Sequence, residues 1–238
     1  MKEQFRRRRL PHWDVPGATY FITACLSGSL PAQGVLDIRN VERRLQRQQR
    51  PPKMSEEEWR SHKWKQVFVR CDEWLDLRPQ VSHLRDERLA LEVQNSLYFF
   101  AAERYDLLAY VIMPSHIHWL FRPLDAWVST LGQTARVRSP RELIMHSLQS
   151  YSGRTCNALM GGSGPFWQRE SYDHVVRDEE EMQRILDYIE LNPVRRGWVT
   201  HRDQWRFSSA FDRRILSPTE QSKPLTKTCL QKSREHNE

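Results

Sequence analysis

The clearest pattern of apolar and polar positions lies in residues 110–121, where β-branched and aromatic residues surround a short break. The break at residues 113–115 predicts a turn between two strands. Successive side chains of a strand point to opposite faces of a sheet. We therefore expect His116 and His118 on one face of the second strand and Ile117 on the other.

A second pattern, in residues 178–193, predicts a helix that begins with acidic residues and ends at a proline. Asp178 can cap the first free amides, with Glu181 completing a capping-box-like pair. Apolar residues recur at helical spacing and predict packing on a core: Met182, Ile185, Leu186 and Ile189. Tyr188 and Asn192 are four residues apart at one border of this stripe, so both are expected to point toward the same sheet.

The remaining apolar stretches predict an α+β fold with an antiparallel sheet. Further strands are predicted near residues 19–26 and 173–176, and core helices near residues 89–100 and 139–151. The resulting order of strand, helix, strand, strand, helix, strand is typical of the ferredoxin-like fold.

Several segments are expected outside this core. The charged region 37–78, with a helix predicted to begin at Ser55, is interpreted as a helical insertion in a single domain of residues 1–216. Residues 217–238 are polar and nearly free of aromatic side chains, which predicts a mobile tail. The glycines of residues 161–165 are interpreted as a linker, because no Gly-Lys-Ser/Thr follows them.

The histidine pair is a candidate site for a divalent ion, because imidazole is the commonest protein metal ligand near neutral pH. Each candidate residue also has an ordinary structural interpretation. His116 and His118 could be half-buried sheet residues, Tyr188 could fill the core, and Asn192 could end its helix. The interpretation as a reactive site depends on the occurrence of both elements in one chain.

Together, the paired histidines, the Tyr-x-x-x-Asn helix and the Pro-Val-Arg-Arg-Gly-Trp that follows resemble the REP-associated tyrosine transposases, a branch of the single-tyrosine HUH transposases. The resemblance is close over residues 108–198. Residues 11–23 are similar to the first strand of the family and its lead-in, and residues 205–210 are similar to its closing motif.

The resemblance implies a role for each of the four residues. His116 and His118 match the pair that holds a divalent metal ion. Tyr188 matches the nucleophile, and Asn192 matches the side-chain oxygen ligand four residues later. With two nitrogens and one neutral oxygen, the site is hard enough for Mg²⁺ or Mn²⁺, which is the expected ion, and Zn²⁺ is the alternative.

The activity that the resemblance implies is metal-dependent cleavage and rejoining of single-stranded DNA, with recognition of repetitive palindromic hairpins. The enzyme would be an endonuclease and transposase that forms a 5′-phosphotyrosine intermediate and needs no nucleotide cofactor. A free tyrosine has a pKa of about 10, so a metal ion and basic groups would have to stabilise the transition state. Two alternatives stay open: a domesticated hairpin-binding protein without cleavage, and a metal-dependent phosphodiesterase that uses water.

The formal net charge of +7 suits a DNA partner, whether single-stranded or hairpin. A run of arginines near the N-terminus is a candidate phosphate-binding arm: Arg6, Arg7, Arg8 and Arg9. Trp167 and Arg169 are candidates for stacking on unpaired bases, with core packing as the alternative for Trp167. Arg195 and Arg196 follow the tyrosine helix and are further candidates, with a solvated helix border as the alternative. The resemblance favours a monomer over a dimer.

The cysteines are widely spaced and form no Cys-x-x-Cys pair: Cys25, Cys71, Cys156 and Cys229. This spacing favours reduced thiols and a cytoplasmic protein. No apolar stretch follows the N-terminal arginines, and no segment approaches membrane-spanning length. Neither a signal peptide nor a membrane role is therefore expected.

Overall fold

A four-stranded antiparallel sheet lies at the centre of the computed structural model, which describes residues 4–7, 11–77, 79–132, 137–169, 171–216 and 218–236. Its strands, in chain order, are β3 Tyr20–Cys25, β4 Tyr105–Ile112, β5 His116–Pro123 and β6 Tyr172–Val175. They are arranged in the order β4-β5-β3-β6, and every neighbouring pair is antiparallel. A separate hairpin is formed by β1 Gln4–Arg7 and β2 Pro11–Asp14.

Helices cover both faces of the sheet. In chain order they are α1 Ala32–Arg47, α2 Glu56–Leu77, α3 Glu87–Phe99, α4 Asp125–Thr130, α5 Pro140–Met160, α6 Glu179–Arg195, α7 Ser209–Arg213, α8 Pro218–Gln221 and α9 Lys227–Glu235. Short 3-10 helices occupy His83–Arg85 and Arg202–Gln204.

The sequence β3, α3, β4, β5, α5, β6 is the predicted ferredoxin-like order, so the expected α+β class is confirmed. Helices α3 and α5 pack against each other on one face of the sheet, above Ile22, Ile117 and Trp119. Helices α1, α2 and α6 cover the opposite face, which includes Phe21 and Leu120. Each face of the sheet is therefore buried under its own apolar layer.

The register of the central strands puts the two histidines on the face covered by α1, α2 and α6. His118 is opposite Thr23 of β3, and His116 is opposite Cys25. Ile117 packs into the other apolar layer, as the alternation along the strand predicts. The expectation that both imidazoles share one face is therefore confirmed.

The charged region before α3 contains two helices, α1 and α2, and α1 begins before the predicted boundary at residue 37. The predicted start near Ser55 is confirmed, since the amide of Glu58 donates to the Ser55 hydroxyl and the Ser55 amide donates to the Glu58 carboxylate. One side of α2 is apolar and packs on the sheet: Val67, Phe68, Cys71 and Leu75. The region is thus a packed layer of the fold.

The tyrosine helix α6 begins as predicted but extends further. The amide of Glu181 donates a 2.7 Å hydrogen bond to the Asp178 carboxylate, which caps the helix. The prediction that the helix stops at Pro193 is wrong, because the helix continues to Arg195. A proline in the last turn removes only one backbone donor, and the chain leaves the helix at Gly197, whose φ is +68°.

The segment after residue 217 differs from the expected mobile tail, since it forms α8 and α9. The Leu225 amide donates a 2.7 Å hydrogen bond to the Leu107 carbonyl, on the edge strand β4. Leu225 and Leu230 are buried in the core layer of α3 and α5. Two apolar side chains in an otherwise polar segment are enough to dock it against the sheet edge.

Candidate metal centre and tyrosine site

His116 and His118 face each other at the end of β5, with their Nε2 atoms 3.1 Å apart. The other ring nitrogen of each is occupied by a hydroxyl. Nδ1 of His118 is 2.7 Å from the Thr23 hydroxyl, and Nδ1 of His116 is 2.9 Å from the Ser115 hydroxyl. These contacts fix the ring orientations and leave both Nε2 atoms directed at the same point, as in protein metal sites.

A carboxylate of α2 joins the two imidazoles. Oδ1 of Asp72 lies 3.2 Å from Nε2 of His118 and 3.8 Å from Nε2 of His116. Within the described part of the chain, these three residues form the one group of histidine, cysteine or acidic side chains close enough to share a metal ion. Ligands at neighbouring corners of an octahedron with bonds of about 2.1 Å lie about 3 Å apart, so the spacing fits a divalent ion.

Tyr188 of α6 reaches this cluster through the same carboxylate. Its hydroxyl donates a 2.5 Å hydrogen bond to Oδ2 of Asp72. Its ring packs against the rings of Phe21, Phe68 and His118, at centroid distances of 5.3 to 5.9 Å. Burial, followed by the nearby Asp72 charge, raises the pKa of Tyr188 well above its usual value. A divalent ion at the histidines would act in the opposite direction.

Asn192 lies one turn after Tyr188 on α6 and is 2% exposed. Its side-chain Oδ1 has no hydrogen-bond partner among the described residues. A buried polar atom without a partner is costly unless it binds something else. This orphaned oxygen, together with the two neighbouring Nε2 atoms of His116 and His118, fits the donor set expected of a resident metal ion.

A second carboxylate, Asp76, lies one turn after Asp72 on α2. It forms an ion pair with Arg196, whose guanidinium is also 3.7 Å from Asp72. Oδ1 of Asp76 is 3.9 Å from Nε2 of His116. Arg196, predicted to contact DNA, is thus engaged by two carboxylates of the site.

The buried ionisable groups of the site strongly shift one another's pKa values. Burial and the neighbouring His118 lower the pKa of His116 to about 3, so its imidazole is neutral and able to ligate a metal. Burial alone would raise the pKa of Asp72, but the hydrogen bond and charge of His118 hold it well below its usual value. Burial and the adjacent Asp72 charge raise the pKa of Asp76 to about 7.

The residues predicted to contact DNA have different environments. Trp167 is 6% exposed, donates from Nε1 to the Ser152 hydroxyl and belongs to the core, which favours its alternative interpretation. Arg169 is exposed and borders a groove of about 520 Å³ beside α5. Arg195 is exposed, with its guanidinium 5.4 Å from the centroid of the Tyr188 ring. The Arg6 and Arg7 side chains and all of Arg8 and Arg9 lie outside the described residues.

Sequence reasoning proposed the histidines, the tyrosine and the asparagine as site residues but not Asp72 and Asp76. Both carboxylates lie within the region interpreted as an insertion. The available signal was the apolar stripe of α2, which predicts a buried helix face. Carboxylates are seldom buried without a partner, but their burial here becomes visible only in the structure.

No helix in the described part of the chain has the length and apolar character needed to cross a membrane. The four cysteines form no disulfide, in agreement with the expected thiols.

Comparisons with known proteins point to one group. The REP-associated tyrosine transposase of Escherichia coli strain K12 is 25% identical over 108 residues, which cover 44% of this chain and 54% of that protein. A Haemophilus influenzae protein named for the same group is 30% identical over 118 residues, which cover 48% of this chain and 65% of that protein. This chain thus spans about half to two thirds of the length of these curated relatives. No protein-family model matches it.

A solved structure, that of a REP-associated tyrosine transposase bound to a REP hairpin, has the same fold with a TM-score of 0.50. The two are 16% identical, and the match covers 90% of this chain and 88% of that chain. Fold and site together define a ferredoxin-like α+β protein with a candidate metal centre beside a half-buried tyrosine. The chain is a relative of the REP-associated tyrosine transposases, which confirms the resemblance carried by its motifs.

Proposed function

We propose that this protein is a metal-dependent endonuclease and transposase that cleaves and rejoins single-stranded DNA through a 5′-phosphotyrosine on Tyr188. One observation carries the proposal: Asp72 contacts the Tyr188 hydroxyl with one oxygen and faces the histidine pair with the other. The candidate nucleophile and the candidate metal ligands therefore converge on one point, although they come from three separate elements. A tyrosine with a purely structural role has no need of this arrangement.

The resident ion is Mg²⁺ or Mn²⁺, held by His116, His118 and the buried oxygen of Asn192. When bound, it supplies positive charge to a nonbridging oxygen of the scissile phosphate and stabilises the charge that develops there. The protein itself fixes the two imidazoles through Thr23 and Ser115. Fixed ligands reduce the reorganisation needed during the reaction.

Residues of the protein carry out the transesterification. The Tyr188 oxygen attacks phosphorus, the bond from phosphorus to the 3′ oxygen breaks, and a phosphotyrosine forms. Asp72 holds the phenol proton in a hydrogen bond before attack, and the leaving 3′ oxygen ends as a hydroxyl. Rejoining is the reverse exchange, in which a 3′-hydroxyl attacks the phosphotyrosine. No nucleotide cofactor is needed, because the phosphodiester energy is kept in the phosphotyrosine.

Hairpin DNA is the proposed substrate, and a solved relative with this fold is bound to a REP hairpin. The groove beside α5 is lined by basic side chains that suit phosphates: Arg138, His146, Arg154 and Arg169. The residue before Arg169, Gln168, donates its amide to the Cys25 carbonyl, and Cys25 pairs with His116. The groove therefore lies beside the strand end that carries the histidines, but on the opposite face of the sheet. We propose that one domain, residues 1–216, acts as a monomer.

A second candidate is a hairpin-binding protein without cleavage. One observation favours it: His116 and His118 are 0% exposed, because α2 covers the site. A phosphate can reach an ion between these two imidazoles only if the packing around them opens. Hairpin binding by the basic groove needs no such movement.

The experiment is incubation of labelled hairpin DNA, taken from repeats that flank the gene, with Mn²⁺ or a chelator, followed by denaturing electrophoresis. We expect a Mn²⁺-dependent band of protein-linked DNA that is absent in Tyr188→Phe. Free cleavage products that survive Tyr188→Phe would indicate a water-using phosphodiesterase. Binding without cleavage by the wild type would indicate the hairpin-binding protein.

A further inference from the structure

We infer that Asp72, contributed by helix α2, is a ligand of the metal ion and that α2 is therefore a catalytic element. This inference rests on the proposed function, since it concerns the same metal centre. It assigns a role to the charged region between β3 and α3, which the sequence motifs leave unassigned. It also adds a negative ligand to a site that otherwise offers two imidazoles and one amide oxygen.

The first argument is the geometry of the three donor atoms. The Nε2 atoms of His116 and His118 and Oδ1 of Asp72 form a triangle with sides of 3.1, 3.2 and 3.8 Å. A triangle of this size is one face of a coordination octahedron. Two histidines and one carboxylate on a face are a recurrent site for divalent metals, and the opposite face is left for other ligands.

The second argument is the hydrogen bonding of the same atoms. Apart from the two imidazoles, Oδ1 of Asp72 has no hydrogen-bond partner among the described residues, although Asp72 is only 6% exposed. The two Nε2 atoms are too close for both to carry a hydrogen. The three atoms therefore share one hydrogen at most. At least two of them face each other inside the protein with unshared lone pairs. A cation between them removes this repulsion and gives the buried carboxylate a partner.

The third argument is that α2 is held against the site by contacts other than Asp72. Phe68 packs on Phe21 and Tyr188, with ring centroids 5.4 and 5.6 Å apart. The Lys65 ammonium is 3.2 Å from the Glu181 carboxylate of α6. The helix thus carries Asp72 to the histidines on a rigid element that is anchored to the tyrosine helix, as a precise metal ligand requires.

Asp72 also connects the metal to the nucleophile. Its Oδ2 accepts the Tyr188 hydrogen bond while its Oδ1 faces the histidines. A ligand that bridges in this way fixes the distance between the ion and the phenol. Loss of the carboxylate should therefore weaken metal binding and also release the tyrosine ring from its position.

The test is Mn²⁺ binding by the full chain without DNA, measured as free Mn²⁺ by electron paramagnetic resonance. We expect one tight site in the wild type, a loss of affinity of at least tenfold in Asp72→Asn, and a loss as large in His118→Ala. The matched control is Glu73→Gln, which makes the same carboxylate-to-amide change at the next position of α2, on an exposed side chain that pairs with Arg70, and it should retain affinity within about threefold. Far-ultraviolet circular dichroism checks that each variant is folded.

Wild-type affinity in a folded Asp72→Asn variant would overturn the inference and leave the proposed function intact. Equal losses in Asp72→Asn and Glu73→Gln would also overturn it, because the effect would then be one of general charge. If Asp72→Asn fails to fold, Asp72→Glu serves instead: its longer carboxylate should keep Mn²⁺ binding but alter the spectrum of the bound ion, and an unaltered spectrum would contradict ligation. Absence of Mn²⁺ binding by the wild type would reject the metal dependence of the proposed function as well.

Discussion

The hydroxyl of Tyr188 donates a 2.5 Å hydrogen bond to the carboxylate of Asp72, a residue that lies 116 positions earlier in the chain. This contact joins α2 to α6 directly above the histidine pair. The pKa of Tyr188 is raised by burial of its hydroxyl and by the carboxylate. The half-buried tyrosine is therefore held in place by the same carboxylate that faces the histidines.

Protection of α2 by the metal ion is the first prediction. When Mn²⁺ is added, the backbone amides of α2 should exchange hydrogen more slowly, because an ion held by Asp72 and the histidines would tie the helix to β5. Hydrogen exchange with mass spectrometry measures this, with the amides of α5 as an internal control. Unchanged protection of α2 in a sample that binds Mn²⁺ would show that the helix supplies no ligand.

Arg169 should contribute one phosphate contact in the basic groove. Replacement of Arg169 with Ala should lower the slope of log affinity against log salt concentration by about 0.7 to 0.9 for hairpin DNA. The control is Arg184→Ala, since Arg184 is exposed, pairs with Glu180 and lies outside the groove. Fluorescence anisotropy over a range of salt concentrations gives both slopes, and identical slopes would remove Arg169 from the interface.

The buried Arg141 should be important for stability. Its guanidinium bonds Asp14 at 2.9 Å and Asp173 at 2.8 Å, and so ties β2, α5 and β6 together. Replacement with Met would remove the guanidinium charge from beside two buried carboxylates and should cost about 3–5 kcal/mol. Urea unfolding measures the loss. In the control, Arg122→Met removes the exposed pair with Asp106 and should cost less than about 1 kcal/mol. Equal losses would contradict the assigned role.

Glu181 should make the free energy of unfolding depend on pH in the acidic range. Burial alone would raise the pKa of Glu181, but hydrogen bonds from His174 and Arg177 hold it well below its usual value. The pKa of Glu181 is thus lower in the folded protein than in the unfolded chain, where it is about 4.3. The ionised carboxylate therefore stabilises the folded protein above that pH, and this contribution is lost as the pH falls toward the pKa of the folded state.

Replacement of Glu181 with Gln should therefore cost about 1.5–3 kcal/mol at pH 7. The difference from the wild type should shrink as the pH is lowered below about 4. Urea unfolding of both proteins from pH 7 to pH 3 measures the difference, with the exposed Glu179→Gln as the matched control on the same helix turn. A difference that is constant with pH would show that the carboxylate charge is not responsible.

The sequence alone predicts those features that depend on local periodicity. The alternation around Ile117 gives the shared face of the histidines, and the stripe of α6 gives the direction of Tyr188 and Asn192. The order of strands and helices then gives the ferredoxin-like arrangement. These relationships extend over a few residues, or over the succession of elements, and both are visible in the chain.

The contribution of α2 is not visible in this way. The approach of Asp72 to His118 depends on how a helix from a charged region packs over a sheet, and no local spacing encodes that contact. For Trp167, in contrast, a local pattern suggests a functional role that the packing of the residue does not support. An aromatic residue beside an arginine suits stacking on bases, but its indole N–H is satisfied by Ser152 inside the core.

The most direct test of the proposed chemistry is identification of the covalent adduct itself. After reaction with hairpin DNA and Mn²⁺ and digestion of the DNA with nuclease, trypsin should release the peptide of residues 185–195, in which Tyr188 is the only tyrosine. Mass spectrometry should find a nucleotide attached through its 5′-phosphate to Tyr188. Cleaved DNA in the absence of any modified Tyr188 would contradict the phosphotyrosine mechanism.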